Sequence, residues 1–154
     1  MTIKFVSELP CQLCEYVAGR LPCEMLYDGK EVFVLLNATA RARGAVVIFP
    51  KRHVRSFLWA TPSELAELNA VIRSFTSSII ASFSPEALHS WCSTGCGAGQ
   101  TEAHMHFQLA PRYAAAGYSF ARSGQLQFAP IEQRKADALL LDAQSRVHLE
   151  SAVT

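Results

Sequence analysis

Apolar and polar residues follow two different periods along this chain, and the period predicts where strands and helices form. Short apolar runs at 31–36 and 45–49, joined by a turn over 37–44, predict an antiparallel hairpin. Another strand is predicted over 88–92, and residues 103–109 alternate between apolar and polar as in a half-buried strand. The pattern therefore predicts a sheet with one face against a core.

Helical spacing begins at Thr61. This residue can cap a helix, the proline after it suits the first helical position, and Glu64 completes a capping box. Apolar residues then recur at helical spacing until the Ser-Pro step at 84–85 ends the pattern. A shorter helix is predicted over 131–149. Separate strands and helices of this kind predict an α+β fold.

The composition excludes several classes of protein. The chain has 154 residues, which suits one domain, and half of them are hydrophobic, which argues against global disorder. The net charge of +1 gives no strong field that would attract nucleic acid or a membrane. The apolar runs are too short to cross a bilayer and the N-terminus does not resemble a secretory signal, so a cytoplasmic location is expected.

The segment with the most chemistry contains two histidines and a glutamine at alternate positions. If 103–109 is a strand, His104, His106 and Gln108 project from one face, each about 6.6 Å from the next at a rise of about 3.3 Å per residue. The apolar residues between them would face the core. Three polar groups in a row are costly to bury unless they bind something, although an exposed face of an edge strand also fits the pattern.

A glycine-rich loop precedes this segment. Gly95, Gly97 and Gly99 would let backbone N–H groups approach a ligand and form a cradle for an anion. The loop is neither a P-loop nor a dinucleotide fingerprint, because it lacks the Gly-Lys-Ser/Thr ending and a strand follows it. It favours phosphate chemistry beside two imidazoles.

Several motifs in register resemble the histidine triad (HIT) superfamily. The stretch 99–112 reads Gly-Gln-Thr-x-x-His-x-His-x-Gln-x-x-Pro-Arg, and 46–53 ends in the family's Pro-Lys-x-His pattern. Cys11 and Cys14, followed by Ala-Gly-x-x-Pro, are similar to the start of the zinc-bearing bacterial members. The resemblance extends from about residue 11 to residue 112.

The resemblance implies a HIT-like α+β fold. It has a sheet of about five mostly antiparallel strands, with one long and one shorter helix. The whole chain, 1–154, would be one domain, with a core at about 11–112 and a C-terminal extension at 113–154. Members are usually homodimers, so a homodimer is expected here.

The resemblance also implies a two-step reaction of a nucleotide. His106 would attack the α-phosphorus and form a covalent nucleotidyl-histidine, while the backbone carbonyl of His104 orients its ring. Gln108 stands where most members have a third histidine. The expected substrate contacts are Asn37, Ser93, Gly99, Gln100 and Thr101.

Two departures from the family pattern affect the predicted activity. Gln108 can donate to a phosphate oxygen but cannot pass a proton, a variant that resembles galactose-phosphate uridylyltransferases and dinucleoside-polyphosphate phosphorylases. Transfer to a phosphate acceptor is therefore slightly favoured over hydrolysis. Ser93 is shorter than the usual Asn or Gln, so its phosphate contact is in doubt. A non-catalytic nucleotide-binding regulator and a zinc-stabilised interaction module remain alternatives.

Two cysteines and two histidines suit a structural metal site. Cys11, Cys14, His53 and His104 occupy the positions of the zinc ligands in the resembling proteins, and zinc favours such a tetrahedral set. The odd total of five cysteines fits a reducing compartment. The alternative is that the thiols are free and His104 is a hydrogen-bonded core residue.

Five basic residues cluster around the predicted hairpin. A solvated loop is favoured over attraction of a polyphosphate group, except for Lys51 and Arg52, which lie beside His53 and leave both roles open. Trp59 and Trp91 are likewise predicted to pack rather than to stack on a base. The basic residues are Arg41, Arg43, Lys51, Arg52 and Arg55.

Overall fold

The computed structural model describes residues 3–7, 10–38, 42–113 and 130–150, with side chains as far as 142 in the last helix. The strands are β1 (Met25–Asp28), β2 (Val32–Leu36), β3 (Val46–Pro50), β4 (Ala87–Cys92) and β5 (Phe107–Arg112). The helices are α1 (Gln12–Val17), α2 (Pro62–Phe83) and α3 (Ile131–Glu150), with short 3₁₀ helices at Phe57–Trp59 and Cys96–Ala98. Parts of the predicted turn over 37–44 and of the predicted extension 113–154 lie outside the described residues.

The strands form one antiparallel sheet in the order β1-β2-β3-β5-β4. Because α2 connects β3 to the far edge, β5 enters between β3 and β4. Gln108 on β5 consequently lies opposite Val47 on one side and Trp91 on the other. The predicted α+β fold with about five mostly antiparallel strands is confirmed.

Both faces of the sheet are covered at β2. This strand, Val-Phe-Val-Leu-Leu, is buried along its whole length and shows no apolar–polar alternation. One set of its side chains packs with α2 and α3 in the main core, while Phe33 and Leu35 join a second cluster that contains Cys11 and Phe49. The N-terminal arm thus builds a small apolar layer on the face opposite the long helices.

The long helix α2 begins with the predicted capping box. The Glu64 amide donates to Thr61 Oγ1 at 3.2 Å, and the Thr61 amide donates to Glu64 Oε2 at 2.7 Å. Ser84 ends the helix in the left-handed conformation, with φ of 45°, just before the proline that the sequence gives as the stop. The start and the end of α2 are therefore set by local sequence.

The strand predicted over 103–109 is displaced, because β5 begins only at Phe107 and continues to Arg112. Before it, the Met105 amide donates to the carbonyl of Val54 at 2.6 Å, outside the ladder between β3 and β5. Met105 is nevertheless fully buried in the main core. His104 and His106 therefore lie on an irregular segment that leads into the strand.

Two short elements are absent from the sequence-based prediction. Helix α1 has six residues and strand β1 has four, with an irregular register between Met25 and Tyr27. Elements of this length give too few repeats for a period to show. Among the described residues, no helix is long and apolar enough to span a membrane.

The basic cluster around the hairpin serves structural ion pairs. Arg41 lies outside the described residues, and the guanidinium of Arg55 lies over the ring of Phe5. The other three predicted members pair with nearby acids, which agrees with the role favoured for Arg43 and gives Lys51 and Arg52 a structural role as well. The pairs are Lys51 with Asp28 at 2.6 Å, Arg52 with Glu64 at 2.8 Å and Arg43 with Asp137 at 2.9 Å.

Candidate functional site

Four metal-ligating side chains from three distant parts of the chain converge. Cys11 precedes α1 and Cys14 lies on it, His53 follows β3, and His104 precedes β5. Their ligand atoms all lie within 4.8 Å of one another. This is the predicted set, and the structure brings all of it together.

The distances among these atoms match a tetrahedral ion. Nδ1 of His104 lies 3.4 Å from Sγ of Cys11 and 3.6 Å from Sγ of Cys14, and Nδ1 of His53 lies 3.3 Å from Cys14 Sγ. A tetrahedral zinc ion, with Zn–S of about 2.3 Å and Zn–N of about 2.0–2.1 Å, separates its sulfur and nitrogen ligands by about 3.6 Å. The donor set therefore fits zinc in size as well as in chemistry.

The ring of His104 is oriented for this role by a backbone carbonyl. Its Nε2 lies 2.8 Å from the carbonyl oxygen of Pro50. Since a carbonyl only accepts, Nε2 carries the proton and Nδ1 presents its lone pair to the sulfurs, as in other metal sites with an outer hydrogen bond. Burial lowers the pKa of His104 to about 4, despite the opposing effect of the Pro50 carbonyl, so the ring is neutral.

The surroundings of the cluster are apolar. Phe49 contacts the His104 ring edge-on at 5.6 Å, and Phe33 packs on Phe49. Burial, followed by the neighbouring thiol of Cys11, raises the pKa of Cys14 to about 12. Such a pocket resists thiolate formation by itself, whereas a divalent cation supplies the compensating charge.

His106 lies two residues beyond the metal candidate His104 and makes a different contact. It is buried, and its Nδ1 lies 2.8 Å from the carbonyl oxygen of His104. Nδ1 is thereby the protonated nitrogen, and Nε2 carries a free lone pair. Burial lowers the pKa of His106, although the His104 carbonyl and the charge of Glu102 oppose the shift.

The glycine loop differs from the predicted anion cradle. Its backbone N–H groups mostly donate to acceptors of the protein, so they are not directed at a ligand. Gly95 and Gly99 have positive φ, 86° and 78°, and close the loop on itself. The amides that donate in this way are those of Gly95, Cys96, Ala98, Gly99 and Gln100.

Gln100 holds the loop from inside. It is 3% exposed, accepts from the Gly95 amide at 2.6 Å and donates to the Arg55 carbonyl at 3.0 Å. Both ends of its amide are thus used within the protein, which differs from the substrate contact that the resemblance implies. Sequence alone gives no sign of this arrangement, because every residue type has a backbone carbonyl that can accept a hydrogen bond, as the Arg55 carbonyl does here.

The other predicted substrate contacts are spread over strand ends, the loop and β5. Asn37 follows β2 and is half-buried, Ser93 follows β4 and is half-buried, and Thr101 is exposed after the loop. Gln108 is half-buried within β5. Their roles toward a substrate stay predictions.

A neutral histidine oriented by the carbonyl of a second histidine, at the entrance to β5, an inner strand of a five-stranded antiparallel sheet, defines a histidine-triad class of site. The chain belongs to the HIT family, since the HIT domain model matches residues 18–115. His53, His104, His106 and Gln108 fall inside that range, whereas Cys11 and Cys14 precede it.

Relatives and solved structures agree with this assignment. An uncharacterised HIT-like protein of Mycobacterium tuberculosis is 27% identical over 103 residues, 67% of this chain and 72% of the relative. A bis(5'-nucleosyl)-tetraphosphatase (asymmetrical) of Schizosaccharomyces pombe is 32% identical over 89 residues, 58% of this chain and 49% of the relative. The crystal structure of a Zn-bound histidine triad family protein from Mycobacterium smegmatis superposes with a TM-score of 0.74, at 24% identity, over 95% of this chain and 99% of the other.

A hypothetical histidine triad nucleotide-binding protein from Sulfolobus tokodaii superposes with a TM-score of 0.78 at 20% identity, over 89% of this chain and 93% of the other. At these identities the structural matches establish the fold. They confirm the predicted HIT-like architecture.

Proposed function

We propose that this protein binds a nucleotide and moves its nucleoside monophosphate group through a covalent bond to His106. The observation that carries the proposal is the hydrogen bond between His106 Nδ1 and the His104 carbonyl at 2.8 Å. It leaves the lone pair of Nε2 available for attack on phosphorus. Membership of the HIT family and the nucleotide chemistry named for two of its similar proteins support this proposal.

The reaction has two balanced steps. First, Nε2 of His106 forms a bond to the α-phosphorus while the bond from phosphorus to the leaving group breaks, and the leaving group departs with the electron pair and takes up a proton from solvent. An oxygen of the acceptor then forms a bond to phosphorus, the phosphorus–nitrogen bond breaks, and His106 is regenerated. Gln108 and Thr101 are the proposed donors to the phosphate oxygens.

Gln108 bears on the choice of acceptor. Its amide donates hydrogen bonds but takes up no proton near neutral pH. Water needs a base to become a good nucleophile, whereas a phosphate acceptor arrives already largely deprotonated. We therefore favour transfer of the nucleotide to a phosphate group over hydrolysis.

We propose zinc as the ion of the cluster of two cysteines and two histidines. A structural zinc ion there would fix the N-terminal arm and the His104 ring, and it would take no part in the bonds that form and break. Cys11, Cys14, His53 and His104 are its proposed ligands. We also expect a homodimer, which sedimentation of the zinc-loaded protein would test.

One experiment tests the activity. The protein is incubated with nucleoside phosphoramidates and with dinucleoside polyphosphates, and intact mass is measured for an added nucleotide. The wild type and His89→Ala, a histidine on β4 in contact with Arg112 at 3.4 Å, should both gain it, and His106→Ala should not. Phosphate, a hexose phosphate or water is then added to identify the acceptor. Binding without any adduct or product would favour a non-catalytic regulator instead.

A further inference from the structure

The N-terminal segment at residues 3–7 lies against the glycine loop. The Cys96 amide donates to the Lys4 carbonyl at 2.8 Å, a bond between the two segments. The contact is close: a Cβ at Gly95 would come within 2.6 Å of Ile3 Cγ2 and 3.0 Å of the Lys4 carbonyl oxygen. Since real Cβ atoms keep a larger distance, glycine at 95 permits the N-terminal segment to approach.

An aromatic contact fastens the same segment to the chain after His53. The Phe5 ring meets Trp59 edge-on at 5.7 Å, and the guanidinium of Arg55 lies 5.7 Å from the centre of the Phe5 ring. An edge-on aromatic pair and a cation above a ring are both attractive. Phe5 therefore anchors the segment whose Lys4 carbonyl holds Cys96.

Arg55 joins these contacts to the inside of the loop. Its side chain lies over Phe5, and its carbonyl accepts from Gln100 Nε2 at 3.0 Å. Gln100 in turn accepts from the Gly95 amide. The Lys4 carbonyl thus holds the loop from the N-terminal segment and Gln100 holds it from within, while Arg55 contacts both Phe5 of that segment and Gln100.

The fastened loop leads directly into the reactive segment. Thr101 follows Gln100, and His104 and His106 come next along the chain. At the other end, the N-terminal segment continues to Cys11, one of the metal candidates. The position of Thr101 relative to His106 therefore depends on contacts made by residues 3–5.

We infer that residues 3–5 are a positioning element of the nucleotide site, which acts through the loop at 95–100 to hold Thr101, one of the proposed phosphate donors, in place relative to His106. This inference rests on the proposed function. Phe5, which anchors the segment on Trp59 and Arg55, and Gln100, which holds the Gly95 amide, are positioning residues, since their contacts are with the scaffold of the loop and not with the reacting atoms. The segment affects the binding of the ligand's phosphate group and not the binding of its nucleoside.

The test compares AMP with adenosine as probes of the zinc-loaded, full-length protein. Phe5→Ala removes the anchor and should weaken AMP binding about tenfold, the effect of losing one hydrogen bond to a charged oxygen, while adenosine affinity changes less than about twofold. Hydrogen exchange at the Cys96 amide should quicken in the same variant. Phe5→Tyr keeps the ring and should keep both affinities and the slow exchange.

Leu58→Ala is the matched control. Leu58 neighbours Trp59 in the same 3₁₀ helix but is 74% exposed, so its loss should change neither exchange nor affinity. An equal loss of AMP and adenosine binding in Phe5→Ala would overturn the inference and leave only a general stabilising role. Unchanged AMP binding and unchanged exchange would overturn it as well. A wild type that prefers AMP no more than adenosine contradicts the phosphate site of the proposed function itself, a result visible without any variant.

Discussion

The two halves of the candidate site are built in contrasting ways. The metal half consists of four side chains whose donor atoms lie within 4.8 Å of one another, beside the buried layer around Phe49. In the loop half, most of the backbone amides donate to acceptors within the protein, and Gln100 points inward. The comparison shows that side-chain donors can be recognised by residue type and distance, whereas a backbone loop must be judged by where its amides donate.

The largest expected effect concerns the metal half. Cys14→Ser should lose bound zinc and lower the unfolding temperature strongly, because structural zinc sites contribute about 10–16 kcal/mol of apparent binding free energy in zinc-finger peptides. Metal content by atomic absorption and thermal unfolding check this. Cys96→Ser, at an exposed cysteine in the loop, is the control and should keep the metal. Full zinc content in Cys14→Ser would remove Cys14 from the set.

A smaller effect is expected in the loop half. Gln100→Ala leaves the Gly95 amide and the Arg55 carbonyl without their partner, which should cost about 1–3 kcal/mol of unfolding free energy in urea. Zinc content should not change, because Gln100 contacts none of the four proposed zinc ligands. If the variant lost zinc as well, the two halves would not be separable in the way that the structure indicates.

The smallest effect is expected at the start of α2, away from both halves. Burial alone would raise the pKa of Glu64, but hydrogen bonds from Arg52 and from Thr61 outweigh it and lower the pKa below the ordinary value of 4.5. The folded state therefore gains stability from this carboxylate above about pH 4.5, and loses it as the pH falls through the lowered pKa.

Glu64→Gln should remove that part of the pH dependence and cost about 1 kcal/mol near neutral pH, the usual value of a helix cap. Urea unfolding of both proteins between pH 3 and 7 checks it. A stability difference that stays constant down to pH 3 would contradict the assignment. The metal should remain bound at neutral pH, which separates this effect from the first.

Regular patterns of apolar residues and clear capping signals make most of the fold predictable. The capping residues of α2 and its apolar spacing fix both ends of that helix, and the hairpin of β2 and β3 follows from two apolar runs. The short elements α1 and β1 have no such signal. The start of β5 was predicted too early, because Met105 bonds to Val54 instead of continuing the ladder, and alternation alone does not show where a ladder begins.

The candidate site was predictable to the extent that it is made of unusual side chains. Cys11, Cys14, His53 and His104 were found by residue type together with the family resemblance, and the structure places them together. The carbonyl of Pro50, which fixes the His104 ring, has no sequence signature. The contact of Lys4 with the loop lies equally outside what residue types can show, because it is a bond between two backbones.

His104 and His106, two residues apart, are proposed to use opposite ring nitrogens for different functions: Nδ1 of His104 binds the metal, and Nε2 of His106 attacks phosphorus. Nitrogen-15 NMR of the imidazoles in the zinc-loaded protein tests this central claim directly. We predict that His104 carries its proton on Nε2 with a metal-shifted Nδ1, and that His106 carries its proton on Nδ1 with an unprotonated Nε2 near neutral pH. A His106 protonated on Nε2, or a metal-shifted signal from His106, would contradict the account.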